Sequence, residues 1–282
     1  MNNLGLVLEG GGMRGLFTAG VLDFFLEQDL FFYEVYGVSA GACNACNFIS
    51  KQEYRSRDVW TEFLNNKDYF SFKNLMETGD IFKTDFAYDK IPNELNKFDY
   101  DAFNKSKTKM VSVATDVETG KPMYFKITNL RKQMDMIRAS ASLPIVSNKV
   151  LINNHLYLDG GMSDAIPIKK IMEDKLDKYV VILTRPINYR KKKNKSYLAV
   201  KKFYKDYPNL IKDTENRYLN YNNTLDYLID EENKGNVFVI RPNRALKVKR
   251  LEKNKKKLII AYNDGYNTAK ELYPKLIKYL TK

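Results

Sequence analysis

The sequence predicts a three-layer α/β/α fold with a mostly parallel central sheet. Three observations predict it. The apolar run Leu4-Gly5-Leu6-Val7-Leu8 ends in Gly10-Gly11-Gly12 and is followed by apolar residues at helical spacing. A second run, Tyr33 to Tyr36, passes through Gly37-Val38-Ser39-Ala40-Gly41 into a small-residue segment. Strand-like runs return late, at Tyr179 to Leu183 and Val237 to Ile240. Parallel strands need crossovers long enough to hold a helix, so strand–turn–helix alternation marks a parallel sheet.

The elements follow in order. Leu16, Ala19, Val21, Leu22 and Phe25 set a first helix, and Ala42 to Ile49 a second, buried one. Lys51 to Lys107 is polar and aromatic with few strand signals, which predicts a helical excursion or cap. Met110 to Thr115 and Met123 to Phe125 read as strands joined across the hairpin signal Glu118-Thr119-Gly120. Asp116, before that turn, reads as structural. Met134 to Ala141 reads as a helix stopped near Pro144. Val150-Leu151-Ile152 and Leu156-Tyr157-Leu158 flank a tight turn, Asn153-Asn154-His155. Helices follow the basic run Arg190-Lys191-Lys192-Lys193, and Leu258, Tyr262, Tyr266, Ala269, Tyr273, Leu276 and Leu280 mark a final amphipathic helix. The expected division is a catalytic part over 1–185 and a basic, mainly helical extension over 186–282, packed on the same fold because its strand completes the sheet.

Composition excludes several classes. At 282 residues with 44% hydrophobic and 13% aromatic residues, a sizeable core can form and whole-chain disorder is excluded. No apolar run approaches the ~18–20 residues of a membrane-spanning helix. The start lacks a basic segment before an apolar one, so no secretory signal is expected. Two cysteines cannot build a disulfide framework. A cytoplasmic protein is expected. A single histidine rules out multi-histidine metal sites and leaves His155 as the sole candidate for any histidine-dependent mechanism. Cys43-Asn44-Ala45-Cys46 lacks the further ligands of a zinc site and reads as helix packing.

Gly10-Gly11-Gly12-Met13-Arg14-Gly15 follows a strand and precedes a helix. It has three readings. A dinucleotide loop, as in a nucleotide-binding oxidoreductase, wants an acidic residue ending the second strand; Gly37-Val38-Ser39 stands there and Glu34 lies at the strand's start. A phosphate-binding P-loop wants Lys and Ser after the last glycine, where Leu16 and Phe17 stand. The third reading is a nest of backbone N–H groups aimed at a developing oxyanion.

Gly37-x-Ser39-x-Gly41 between strand and helix fits a nucleophile elbow, in which flanking glycines relieve a tight turn and expose the serine hydroxyl. A serine nucleophile needs a base. His155 lies in a turn and precedes the attractive acid, the reverse of the usual hydrolase order. Asp159 ends a strand before Gly160-Gly161, which lets its carboxylate face a cleft. A carboxylate with an ordinary pKa of ~3.9 is a weak base. It accepts the serine proton when transfer is concerted with attack and the oxyanion is held, and a dry site improves it.

Together these segments resemble the patatin-like phospholipase family. The resemblance rests on Gly10-Gly11-Gly12-Met13-Arg14-Gly15, Gly37-Val38-Ser39-Ala40-Gly41 and Asp159-Gly160-Gly161, with Arg138-Ala139-Ser140-Ala141-Ser142-Leu143-Pro144 similar to the family's segment before the aspartate strand. It covers Leu4 to about Thr184. It implies a Ser39–Asp159 dyad, an oxyanion hole from Gly10, Gly11 and Gly12 aided by Arg14, elbow glycines Gly37 and Gly41, and hydrolysis of lipid acyl esters with no metal or cofactor. Glu9 stands where many members carry Asp, with little expected effect.

Net charge is +13 and lies in the last third: residues 186–282 hold 24 basic against 10 acidic residues. A one-sided basic field points to an anionic partner. The expected partner is an anionic membrane at the inner face, contacted peripherally through Arg190 to Lys193, Lys195, Lys253 and Lys255 to Lys257, with Tyr197 and Tyr204 at headgroup level. Nucleic acid is not expected, because no recognised binding motif accompanies the charge. A catalytically silent membrane-binding protein is the rival reading.

Overall fold

The computed structural model describes residues 3–193 and 196–281. Eight strands form one sheet: β1 (Leu4–Leu8), β2 (Glu34–Val38), β3 (Lys109–Asp116), β4 (Pro122–Ile127), β5 (Val150–Ile152), β6 (His155–Asp159), β7 (Lys178–Ile182) and β8 (Val237–Ile240). The five strands β3-β2-β1-β7-β8 run parallel, while β4, β5 and β6 join antiparallel around β3. β1 is central, and β8 pairs with β7, so the late strand extends the same sheet.

Helices cover both faces. On one lie α1 (Gly15–Glu27), α2 (Ala40–Ile49) and the long α10 (Lys255–Leu280), against Leu4, Leu6 and Leu8 of β1. On the other lie α7 (Ile168–Met172) and α9 (Pro208–Asn233), against Val7, Val38, Val113 and Val181. Alternate residues of each strand face opposite layers, which is why a central strand is apolar throughout. α1 is enclosed nearly all round, with Leu16, Phe17 and Val21 fully buried. Truncating such a leucine to alanine costs ~2–5 kcal/mol.

α1 and α10 cross with their backbones almost in contact. A Cβ on Gly20 would lie 2.1 Å from the Tyr262 carbonyl oxygen, and one on Gly265 would lie 1.9 Å from that of Phe17. Asp23 and Glu27 of α1 fasten the crossing, accepting from the hydroxyls of Tyr262 (2.8 Å) and Tyr266 (2.5 Å).

The excursion after α2 is helical, as expected: α3 (Arg55–Glu62), α4 (Phe72–Thr78), a π-helical stretch Phe86–Leu95, and α5 (Tyr100–Lys105). Its aromatic residues stack on one another, Phe70 on Phe82 at 4.7 Å, and cap the sheet's carboxyl end. α6 (Met134–Ala141) packs on β3 and β6, and α8 (Ser196–Phe203) precedes α9.

Two local expectations are corrected. The turn between β5 and β6 comprises Asn153 and Asn154, both at positive φ (49° and 65°), so His155 is the first residue of β6 rather than part of the turn. Tyr204 is buried at the end of α8, its hydroxyl accepting from Ile145 N at 3.2 Å, and does not face a membrane. Lys195 lies outside the described residues.

Candidate active site

One edge of β3 sets the site. β4 occupies the other edge from Met110 to Thr115. On the near edge β2 runs parallel up to Val38, which sits opposite Val113. β6 runs antiparallel from the other direction and ends at Asp159, opposite Ala114. The carboxyl ends of β2 and β6 therefore meet head-on, and the residue after Val38 is Ser39.

Ser39 takes φ 55° and ψ −122° at the start of α2. An L-residue held there costs of order 1–3 kcal/mol. The close packing of this corner needs its flanking glycines: a Cβ on Gly37 would lie 2.6 Å from Ala42 Cα, and one on Gly41 2.4 Å from the Leu8 carbonyl oxygen. Ser39 Oγ donates to Asp159 Oδ2 at 2.6 Å, and Ser39 N donates to Ser140 Oγ at 2.8 Å. Asp159 is held at every polar atom. Its N donates to the Ser142 carbonyl (2.8 Å), its carbonyl accepts from Thr115 Oγ1 (2.9 Å), and Oδ1 accepts from Gly161 N (2.7 Å). Burial raises its pKa above the ordinary carboxylate range; the Ser39 hydrogen bond and the charges of Arg217 and Arg250 oppose that rise.

Ser39 opens onto a mainly apolar cavity of about 170 Å³, lined by Gly12, Met13, Ala40 and Cys43 and, further in, by Trp60, Tyr69, Phe82, Ile91, Leu130 and Ile137. Most of that wall comes from the helical excursion and α6. The glycine loop lies alongside: a Cβ on Gly10 would stand 3.2 Å from Ser39 Cβ. Gly12 adopts positive φ (56°), and Met13 N donates to the Arg250 carbonyl at 3.0 Å. Among the described residues, the amides of Gly10, Gly11 and Gly12 have no hydrogen-bond acceptor.

The family model for patatin-like phospholipases matches residues 6–171, more than half of the chain and both halves of this corner. The chain belongs to the patatin-like phospholipase family. A second model, a domain of unknown function (DUF6363), matches residues 207–281. The uncharacterised protein YjjU of Escherichia coli (strain K12) is 34% identical over 188 residues, 65% of this chain and 52% of that protein. The chain thus spans about half the length of the curated relative it matches. Among solved structures, VipD from Legionella pneumophila aligns at 12% identity and a TM-score of 0.49, covering 98% of this chain and 67% of that one. The type III effector protein ExoU aligns at 11% identity and a TM-score of 0.35, covering 96% and 53%.

In this patatin-like chain the predicted residues separate into two groups. Ser39, Asp159, Gly10 and Gly12 gather at the corner, with Gly37 and Gly41 behind it. Arg14 points elsewhere: it lines a second, larger cleft with Glu9 and Gly10, on the side of the extension. His155 stands at the far end of β6, exposed, 3.5 Å from Asp116. Asp116 in turn accepts from Thr119 N and Oγ1, holding the β3–β4 hairpin. Cys43 and Cys46 are free thiols, both pushed to higher pKa by burial. Among the described residues, no group of three or more His, Cys, Asp or Glu side chains is placed to hold a metal ion. No described helix is long and apolar enough to cross a membrane.

Two residues near the site, Arg217 and Arg250, carry no sequence signal, and Glu9 does more than its place before the glycines suggests. Arg217, on α9, donates through Nε to the Gly161 carbonyl, two residues from Asp159. Arg250 lines both cavities. Glu9 is buried and accepts from Thr184 N (2.6 Å), Thr184 Oγ1 (3.0 Å) and Tyr221 OH (2.6 Å), tying the glycine loop to β7's end and to α9. Amphipathic periodicity finds α9 but does not say which of its polar residues point inward.

Proposed function

We propose that this protein is a serine hydrolase of lipid acyl esters, a phospholipase A, lysophospholipase or related lipid acyl hydrolase, working through a Ser39–Asp159 dyad. The observation that carries the reading is the 2.6 Å hydrogen bond from Ser39 Oγ to Asp159 Oδ2 at the mouth of an apolar cavity. Ser39 Oγ attacks the ester carbonyl while its proton passes to Asp159 Oδ2. The oxyanion is met by the amides of Gly10, Gly11 and Gly12, with Arg14 adding positive charge behind the loop; one such donor is worth ~2.7–4 kcal/mol in the transition state. Asp159 then gives its proton to the leaving alkoxide. In the second half it takes a proton from the water that attacks the acyl-enzyme carbonyl and returns it to Ser39 Oγ as the acyl–Oγ bond breaks, and the released fatty acid ionises to its carboxylate. Burial of Asp159 makes it a stronger base than a solvated carboxylate. The cavity is apolar where an acyl chain would lie.

The division at residue 185 is part of the same proposal: the first part supplies the dyad, and the extension closes the second cleft. So is the setting, a cytoplasmic enzyme in peripheral contact with an anionic membrane, without nucleic acid and without a metal or cofactor.

A fluorophosphonate probe with mass spectrometric localisation tests the reading. The adduct is expected on Ser39 alone, and labelling is lost in Ser39→Ala. An adduct on another serine, or none on folded protein, overturns it.

A further inference from the structure

The second cleft is strongly basic. It encloses about 1140 Å³ between the glycine loop, the segment after β7 and α9. Arg14, Arg185, Lys191, Arg217 and Arg250 line it, and the carboxylates there are Glu9 and Glu215. Glu215 pairs with Lys193 at 2.9 Å, and Arg190 reaches out to Asp226 at 2.8 Å, so those two cations are neutralised at the rim, where Lys192 is exposed. Among the described residues, none of the five inner cations has a carboxylate within ion-pair distance. Glu9 is already satisfied by Thr184 and Tyr221.

Those cations are held rather than solvated. Arg14 is 7% exposed, and its Nε has no hydrogen-bond partner. A buried unpaired donor is costly unless something else meets it. Arg185 lies 4.4 Å over the Tyr189 ring and Lys191 4.2 Å over the Tyr221 ring, and those two rings meet edge to face. Lys191 is anchored at its backbone by both amide atoms of Asn222. Burial, and then the charge of Arg217, push its ammonium down to about 6. Four guanidinium cations, with a lysine amine that a bound anion would recharge, gathered against one occupied carboxylate are a site built for an anion of high charge density.

We propose that this cleft binds a phosphate group, and that the phosphate is the head group of the ester that Ser39 cleaves. The inference rests on the hydrolase reading above. Arg250 and the glycine loop border both cavities, so one molecule can lay its acyl chain past Ser39 and its phosphate among Arg14, Arg185, Lys191 and Arg217. The preferred substrate class is then an anionic glycerophospholipid with an accessible phosphate, such as a phosphomonoester, over a neutral acylglycerol. The extension supplies Lys191, Arg217 and Arg250, and so sets head-group preference.

Two measurements test it. Calorimetry on the Ser39→Ala protein reads binding of glycerol 3-phosphate without any turnover. Binding is expected, absent with glycerol, weakened by salt, and reduced about tenfold by Arg185→Gln, the loss of one charge-assisted contact. Arg185→Lys, which keeps the charge, is expected to recover part of it. Hydrolysis of soluble dihexanoyl phosphatidate is then compared with that of dihexanoylglycerol. Arg185→Gln and Lys191→Gln are each expected to lower the ratio of the two kcat/KM values about tenfold. No binding of glycerol 3-phosphate to folded Ser39→Ala overturns the phosphate site. Binding with an unchanged ratio overturns the head-group assignment and makes the cleft a receptor for free phosphate esters. Binding with no hydrolysis of either ester by the wild type leaves the phosphate site supported and overturns the hydrolase reading instead.

Discussion

Ser39 Oγ and Asp159 Oδ2 stand 2.6 Å apart across 120 residues of sequence because Val38 and Asp159 face consecutive residues of β3, Val113 and Ala114. The contact is a property of strand register. Gly160 guards that register: a Cβ there would lie 2.1 Å from the Val113 carbonyl oxygen. Gly160→Ala must therefore push the start of the Asp159 loop away from β3. Displacing a reacting group by about 1 Å costs ~100-fold. The expected result is a kcat lowered by about that factor, with circular dichroism close to wild type. Full activity in Gly160→Ala would show that the dyad tolerates a shifted β6.

The environment of Asp159 fixes a pH dependence. Its carboxyl is raised by burial, and Arg217 and Arg250 counter that rise. A base works deprotonated, so kcat/KM on a neutral soluble ester should fall as pH drops through the Asp159 pKa, at a pH above the ordinary carboxylate range. Removing the nearby positive charge favours the neutral acid. Arg217→Met should therefore move the acid limb to higher pH, and Arg217→Lys should move it less. A limb that stays in place in Arg217→Met assigns it to another group.

His155 provides the counter-test. It is exposed at the start of β6, with Asp116 as its ionic neighbour, while Asp159 ends the same strand. His155→Ala should leave kcat/KM within about threefold, and Ser39→Ala and Asp159→Asn should each abolish it, since members of one catalytic unit do not act additively. Abolition of activity by His155→Ala in folded protein would replace the dyad with a triad.

The crossing of α1 and α10 leaves no room for a side chain at Gly265. Gly265→Val would place its Cβ against the Phe17 carbonyl, backbone that cannot rotate away. Overpacking of this kind costs ~1–3 kcal/mol or more. The urea midpoint should fall with an unchanged slope. A midpoint equal to wild type would mean that the helices separate without cost.

Sequence and structure part company at identifiable points. The three glycine motifs were readable because each packs a strand end, a tight turn and a reactive group into consecutive residues. The elements β1, α2 and α6 were readable from apolar runs and from Pro144. What sequence could not show was the meeting of distant edges. Nothing local says that β6 follows β2 along β3, or that Arg217 on α9 reaches the Gly161 carbonyl. Glu9 looked like a conservative exchange, yet its length lets it join Thr184 to Tyr221. Arg14 sits within the motif, but only the fold turns its side chain to the charged cleft. Lys191 reads as one of a run of exposed bases, while the folded chain packs it over Tyr221.

The last prediction concerns the membrane contact proposed above. Sequence points to the basic run at 190–193, with Lys195, Lys253 and Lys255 to Lys257, as the contact; of that run, Arg190 and Lys193 are engaged by Asp226 and Glu215, and Lys191 lines the cleft. A better-placed apolar contact lies on α4. Phe72 and Met76 are one turn apart on one face, 71% and 89% exposed, with Lys73 beside them. The same segment carries Tyr69 and Phe82, which wall the Ser39 cavity, so a membrane touching α4 delivers lipid next to the cavity. Burying a side chain of this size is worth ~1.5–3 kcal/mol, roughly a tenfold to hundredfold change in partition for each. Phe72→Ser with Met76→Ser should thus weaken sedimentation with anionic vesicles by at least about tenfold. Replacing Arg190 to Lys193 by glutamine should weaken it less and mainly at low salt, where the screening length exceeds ~10 Å. Hydrolysis of a short soluble ester should survive the α4 changes, since neither side chain lines the cavity. Vesicle binding that is unaltered by the α4 pair and lost with the basic run would return the membrane contact to the extension.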